Sequence, residues 1–401
     1  MNKAALYSIS PFKMLACCLC ILTCISCKKS VGPEKNGSSV RIIGGSGRND
    51  VNYITEHPNG GWLIFGNTNV KGNGGSDIYE VYIDAQMNLV FDTTYGSFLN
   101  DEINANSVFK DRDGNILIGG YTQQLLPNTG TDSFAMAYGM VYKFDQYGKL
   151  LHKIVIPDNT GLSMTNYSIS QLPSGHYTVF GANVFYTDHC YIYELTEDLQ
   201  PTENFFTGDI PRYSNAYTIG YSYSQLAGNM LIDLSSIDTG RFILQHFTLS
   251  AGALLREEDT LDCPGVADGA YPWGIVLTDK DNLYVNFSWR DSYLVKVKDR
   301  KTDWTMQLGQ KNNISQLYTN HEEDCYGGID DYFFKVNKSG SIAWEKNIPG
   351  IAETSGLSGA MCINKDKSIT IAYASQLAGY YGGNIGIMIL DDNGAPIFKS
   401  N

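Results

Sequence analysis

No apolar run in this chain is long enough to span a bilayer, which takes about 20 residues. The longest, Met14 to Ile25, covers about 12. Charge is sparse, 18% of 401 residues, and leans acidic: 29 Lys and Arg stand against 42 Asp and Glu, for a formal net charge of -13. With no basic stripe to offset that field, nucleic acid is excluded as a partner. The six histidines, His57, His152, His176, His189, His246 and His321, show no zinc-ligand spacing. There is no Gly-x-Ser-x-Gly elbow and no phosphate loop. The adjacent glycines Gly119-Gly120, Gly327-Gly328 and Gly382-Gly383 read as strand ends or turns. No catalytic residue, metal or cofactor emerges. Long helix-forming runs are scarce as well.

What is abundant is Tyr (27) and Gly (41), in a chain that is 43% hydrophobic. That balance supports a core built from strands and tight turns. Five of the nine cysteines, Cys17, Cys18, Cys20, Cys24 and Cys27, crowd the N-terminus. There Lys3 and Lys13 precede the short apolar run, in the order of an export signal. A polar stretch, Lys28 to Ser39, follows with the makeup of a tether.

The end of the apolar run, Cys24-Ile25-Ser26-Cys27, resembles a bacterial lipobox. Ser26 is the small residue before the cut, whereas Cys24 departs from the usual leucine, and Ile21-Leu22-Thr23-Cys24 is a second, poorer match. The resemblance implies a signal peptide over 1–26, acyl chains on Cys27, a tether over 27–39 and anchoring to a membrane through that lipid. Loss of Lys3 and Lys13 would leave 27 basic against 42 acidic residues, a net charge near -15.

Beyond residue 39 the chain repeats itself. One hairpin type is Met140-Val141-Tyr142-Lys143-Phe144 turning at Gln146-Tyr147-Gly148-Lys149 into Leu150-Leu151. It returns at Ile78, Tyr332 and Ile385, and more weakly near Tyr191, Phe242 and Tyr293. Another precedes each of these, as in Ser107-Val108-Phe109 turning at Asp111-Arg112-Asp113-Gly114 into Ile116-Leu117-Ile118. Alternating apolar residues bounded by turn residues are the hairpin signal. Two hairpins make a four-stranded unit of about 40–60 residues, the period of a β-propeller. Residues 40–401 are therefore expected to form one all-β propeller domain, with seven blades, or six as the alternative. Trp304-Thr305-Met306-Gln307-Leu308 could end one blade or start the next. Val40-Arg41-Ile42-Ile43 is a spare strand that would pair with the last blade and latch the ring.

This pattern resembles the repetitive β-propeller lipoproteins of Gram-negative bacteria. The resemblance covers roughly residues 40–401, specifies a fold, and transfers no catalytic residue. It implies a location in the cell envelope, on the outer membrane, with the propeller outside the cytoplasm.

Two functions follow as expectations. The first is a non-catalytic binding or scaffold module for a glycan or a cell-envelope protein. Trp273, Trp289, Tyr326, Tyr380 and Tyr381 are assigned to inter-blade and middle loops and would meet around one channel mouth. The second is a metal-dependent lactonase or other hydrolase, with Asp101, Glu102, His189, Asp268 and Glu322 converging there. Asp111-Arg112-Asp113-Gly114-Asn115 opens like a calcium loop. However, Ile116 and Thr122 stand where Gly and Glu belong, so a hairpin turn is expected. His321-Glu322-Glu323-Asp324 is the densest polar cluster. Of the four remaining cysteines, Cys263 and Cys325 are both assigned to the loop-rich face and are expected to pair, against four buried or free thiols as the alternative.

Overall fold

Alternation carries the chain through 28 strands among the residues described by the computed structural model. These are residues 40–44, 49–125, 135–156, 163–183, 189–209, 223–227, 230–238, 240–267, 270–278, 281–288, 291–309, 316–320, 323–329, 332–347, 359–375 and 384–397. Side chains are described for all of them except 40–44, 104–106, 164, 167, 223–227, 230–238, 271, 273, 316, 329 and 375.

Strand β1 (Val40–Gly44) comes first. Sheet one is β2 (Asn49–Glu56), β3 (Trp62–Thr68), β4 (Asp77–Ile83) and β5 (Leu89–Tyr95). Sheet two is β6 (Asp101–Lys110), β7 (Ile116–Leu125), β8 (Ala135–Phe144) and β9 (Leu150–Val155). Sheet three is β10 (Met164–Gln171), β11 (Tyr177–Asn183), β12 (His189–Leu195) and β13 (Pro201–Asp209). Sheet four is β14 (Tyr223–Ala227), β15 (Met230–Asp238), β16 (Arg241–Ser250) and β17 (Ala253–Asp262). Sheet five is β18 (Tyr271–Leu277), β19 (Leu283–Ser288), β20 (Ser292–Lys298) and β21 (Lys301–Gly309). Sheet six is β22 (Gln316–Thr319), β23 (Cys325–Ile329), β24 (Tyr332–Val336) and β25 (Ile342–Asn347). Sheet seven joins β26 (Gly359–Ile363), β27 (Ile369–Ser375) and β28 (Asn384–Leu390) to β1.

Every sheet is an antiparallel meander, and consecutive sheets place their first strands side by side. That succession runs from β2 through β6, β10, β14 and β18 to β22. β26 then touches β23 on one side and β2 on the other, so the array returns on itself. The result is an all-β propeller. Trp304 to Leu308 lie in β21, which pairs with β20 and so ends its sheet. β1 pairs with β28, from Val40 opposite Met388 to Gly44 opposite Asn384, and thereby supplies the outer strand of the last sheet.

The core is a set of layers between neighbouring sheets rather than one central mass. Sheets seven and one bury Ile385, Ile387 and Ile389 against Val51, Ile64 and Val81. Sheets one and two bury Phe65 and Ile78 against Ile118, Met140 and Phe144. The second and third strands lie in the middle of each sheet. In sheet one these strands, β3 and β4, are buried along their whole length and are rich in apolar residues, while an outer strand such as β13 alternates.

Candidate functional site

The turns joining first and second strands are nearly superimposable in their bonding. In Asp111–Asn115 the amide of Asp111 donates to the carbonyl of Asn115, and the amide of Gly114 donates back to the carbonyl of Asp111. The same pair of bonds closes His57–Gly61, Leu172–His176, Asn320–Asp324 and Asn364–Ser368. The Asp111 carboxylate is consumed within this frame. Oδ1 accepts from the amides of Asp113 (2.9 Å) and Asn115 (2.7 Å), and Oδ2 accepts from Asn115 Nδ2 (2.9 Å) and the Tyr177 hydroxyl (2.7 Å). The segment that opens like a calcium loop is therefore a saturated turn.

The first turns of sheets six and seven, with Thr278 of sheet five and Asp392 of sheet seven, surround a cavity of about 830 Å³. Its wall includes Thr278, Asn320, Glu323, Lys365, Lys367 and Asp392, with Tyr326 beneath. It opens at the end of the sheets where first strands turn into second strands, which is the end opposite the inter-sheet connections.

The acidic groups of this wall are already held. Lys296 reaches Glu323 Oε2 at 3.1 Å, and Lys335 reaches Asp392 Oδ1 at 2.6 Å and Asp324 Oδ2 at 3.3 Å. Both lysines are buried beneath the turns, with their ammonium groups over the rings of Tyr284 and Tyr326. Burial opposes the Lys335 charge, but the hydrogen bonds to Asp392 and Tyr326 outweigh it and hold the ammonium above the usual lysine range. Lys143 occupies the same third-strand position in sheet two. It donates to the Glu197 carbonyl (2.9 Å) in a turn of the next sheet. The device therefore ties each of these sheets to its neighbour as well as closing the cavity floor.

The amides are spent too. Asn364 accepts from the Trp62 indole (3.0 Å) and donates to Ser368 Oγ and Thr370 Oγ1 (both 2.8 Å). Asn320 accepts from the Asp324 amide (2.8 Å) and donates to the Tyr326 hydroxyl (3.2 Å).

Several expectations require correction. Tyr326 is not on a middle loop. It lies inside β23, opposite Tyr318 and Lys335, at 1% exposure in the core between sheets six and seven. Gly327-Gly328 belong to the same strand, because Phe334 and Phe333 fill the space their side chains would take. Cys325 accordingly starts β23, beside the first turn of sheet six, whereas Cys263 follows β17 at the opposite end of its sheet. Both are free thiols, fully buried in different inter-sheet layers, so the expected Cys263–Cys325 bridge does not form. Burial pushes the Cys263 thiol up to about 11, and Cys325 shifts in the same direction for the same reason.

Trp273 lies within β18, but its side chain is outside the described residues. Trp289, Tyr380 and Tyr381 also fall outside them, in segments joining second to third strands. Of the residues named for a hydrolase, Asp101 is buried and accepts from the amide (2.6 Å) and hydroxyl (2.7 Å) of Ser97. His189 Nδ1 pairs with Asp209 (2.8 Å), its partner across the ladder. Glu102 faces Tyr121 across its ladder, while Asp268, His321 and Glu322 are outside the described residues. Among the described residues no three His, Cys, Asp or Glu side chains group as a metal set.

Lys365 and Lys367 were missed, although a signal exists. The fourth turn position is left-handed and carries Gly60, Gly114 and Gly175 in sheets one to three, but Glu323 (φ 63°) and Lys367 (φ 67°) at the cavity. Glycine gives way to charge where the turns line this space.

No protein-family model and no curated protein sequence matches this chain. Solved structures do resemble it. The WD40 β-propeller domain of Doa1 is 12% identical over 86% of this chain and 95% of that one, with a TM-score of 0.52. A protein of unknown function from Bacteroides caccae is 13% identical over 75% and 97%, with a TM-score of 0.43. At such identities the first likeness shows the fold alone, a β-propeller.

Proposed function

We propose that this chain is an exported lipoprotein, lipidated at Cys27 and held to the outer membrane. In this reading residues 40–401 form a seven-bladed ring outside the cytoplasm that binds a glycan or a cell-envelope protein without catalysis. The N-terminal order of charge, short apolar run, Ser26 and Cys27 supports export and anchoring. Seven four-stranded sheets among the described residues support the blade number.

One observation carries the binding reading over the enzymatic one. The carboxylates around the cavity are committed to the frame itself, with Asp324, Asp392 and Glu323 each bonded to a buried lysine. A general base needs a carboxylate or imidazole aimed at a substrate proton, and these are aimed at the protein.

Labelling cells with a tagged fatty acid tests the anchor: Cys27→Ser should lose the label and leave the chain unprocessed. A label that persists in that variant removes Cys27 from the reading. A glycan and peptide array tests the module, and an array without a ligand counts against it.

A further inference from the structure

We propose that His246 makes the seam between sheets four and five an acid-sensitive clasp, closed while the imidazole is neutral and loosened when it takes up a proton. The device is built into the ring and stands apart from the lipid anchor and the ligand.

Register buries the imidazole. On β16, Phe242 and Leu244 lie in the layer shared with Val285, Phe287 and Val295 of sheet five, while Phe247 and Leu249 face sheet three. His246 follows this alternation to the side of sheet five. It is 1% exposed, and neither ring nitrogen has a hydrogen-bond partner. A neutral imidazole carries one donor and one acceptor, so burying it unpaired already costs stability. Burying an imidazolium there costs more.

The charged groups around it form a clasp between the two sheets. Arg300, in the turn between β20 and β21, donates from Nε to Asp281 Oδ1 of its own sheet (2.7 Å). From Nη1 it donates to Glu257 Oε2 (3.1 Å) and Asp259 Oδ2 (3.3 Å) on β17 of sheet four. Glu257 stands directly opposite His246 across the ladder, and Asp259 stands opposite Leu244. The Asp259 oxygen that takes the guanidinium is also 4.0 Å from His246 Nδ1. On β15 the positions paired with Leu244, His246 and Thr248 are Leu234, Ile232 and Met230, none of them ionisable. Asp279 and Lys280, in the turn that holds Asp281, are outside the described residues. Asp299 (φ 50°) and Arg300 (φ 62°) are both left-handed, a backbone that favours Asn and Gly. An arginine there serves the clasp better than it serves the turn.

Protonation sets these groups against one another. Burial and the positive Arg300 disfavour the imidazolium, whereas Asp259, Asp281 and Glu257 favour it. The balance holds the imidazole below the ordinary histidine value. As pH falls, the unfolded chain therefore takes up this proton before the folded one does. The stability tied to the neutral ring is complete above about 6.5 and is lost as pH falls from there through the folded value. An imidazolium donates from both nitrogens, so Nδ1 then competes with Arg300 for Asp259 Oδ2. One of the two links from Arg300 to sheet four is weakened, and the seam loosens at that end.

The test is amide hydrogen exchange of the purified chain, read by mass spectrometry at about pH 7.5 and about pH 5, in the parent and in His246→Leu. Comparing the two chains at the same pH cancels the intrinsic exchange rate. The parent-to-variant ratio of rates in β16 and β17 should rise about tenfold between the two pH values, and the ratio in β1 and β28 should stay level. An unchanged ratio in β16 and β17, or a rise of the same size in all seven sheets, would overturn the proposal. A second measurement needs no variant. The parent's own His246 ring signals, assigned through nuclear Overhauser contacts within β16, should titrate below about 6.5, and titration at or above that value would overturn it as well.

Discussion

Glu80 is buried in β4 against the turn of the next sheet, beside Gly148. One carboxylate oxygen accepts from the Tyr95 hydroxyl at 2.8 Å, and the other has no hydrogen-bond partner. Burial pushes its pKa up to about 8. The Tyr95 hydrogen bond resists this, and the negative Asp145 adds to it. The folded state therefore holds a proton that the unfolded chain releases near the ordinary carboxylate value. The stability tied to this proton is complete below that value and is lost as pH rises through about 8. Glu80→Gln should flatten this slope and stabilise the protein at pH 9 by on the order of 3 kcal/mol. Chemical denaturation at pH 5 and pH 9 checks it: an equal midpoint difference between variant and parent at both pH values would mean that the carboxyl does not titrate in that window. Cys263 and Cys325 stay unpaired for a reason at the same scale. A loop-like sequence puts both on one face, but a thiol's partner depends on which end of a strand it occupies, and Gly327-Gly328 look the same in a strand as in a turn.

At the scale of elements, neighbouring sheets are clasped by repeated caps. The Trp304 indole donates to the Lys338 carbonyl and the Trp344 indole to the Asp392 carbonyl, both at 3.1 Å. Each indole leaves a fourth strand and covers a turn of the following sheet. The turn glycines beneath, Gly340 (φ 84°) and Gly394 (φ 76°), have left-handed backbone and no room for a side chain under the ring. Both demands fall on one residue, so these turns need glycine twice over. Trp344→Ala should cost about 3 kcal/mol by leaving a hole between sheets six and seven. Trp344→Phe should cost about 1 kcal/mol, mainly through the lost hydrogen bond. Denaturant midpoints would check the order, and equal losses would mean that the ring contributes nothing beyond its N–H. The hairpins themselves were legible because a turn such as Asp145 to Lys149 is bonded within its own five residues. Oδ1 of Asp145 accepts from the amides of Tyr147 (2.8 Å) and Lys149 (2.9 Å). The indole caps were not legible, since their partners lie 34 and 48 residues away.

For the whole molecule, closure decides stability. β28 would be an open edge without β1, and β1 comes from the other end of the chain's folded unit, Ser39–Asn401. Removing residues 39–46 should lower the melting temperature by roughly 3–5 °C. An unchanged value would mean that the pairing of β1 with β28 adds nothing to stability. The strands, the turn chemistry, the repeat and the spare N-terminal strand are legible in the order of residues, because alternation, Asp-Gly turns and period are local properties. The order of residues before Cys27 likewise carries the expectation of export. Tertiary structure alone decided which end of each sheet a residue occupies. It therefore decided that Tyr326 is core, that the two cysteines stay apart, and that Lys365 and Lys367 share a cavity with Asp392. The physical reason is register: a shift of a few residues in the short strands of sheet six moves a side chain from one mouth of the ring to the other, and the register observed is the one in which Phe334 and Phe333 fill the space beside Gly327 and Gly328.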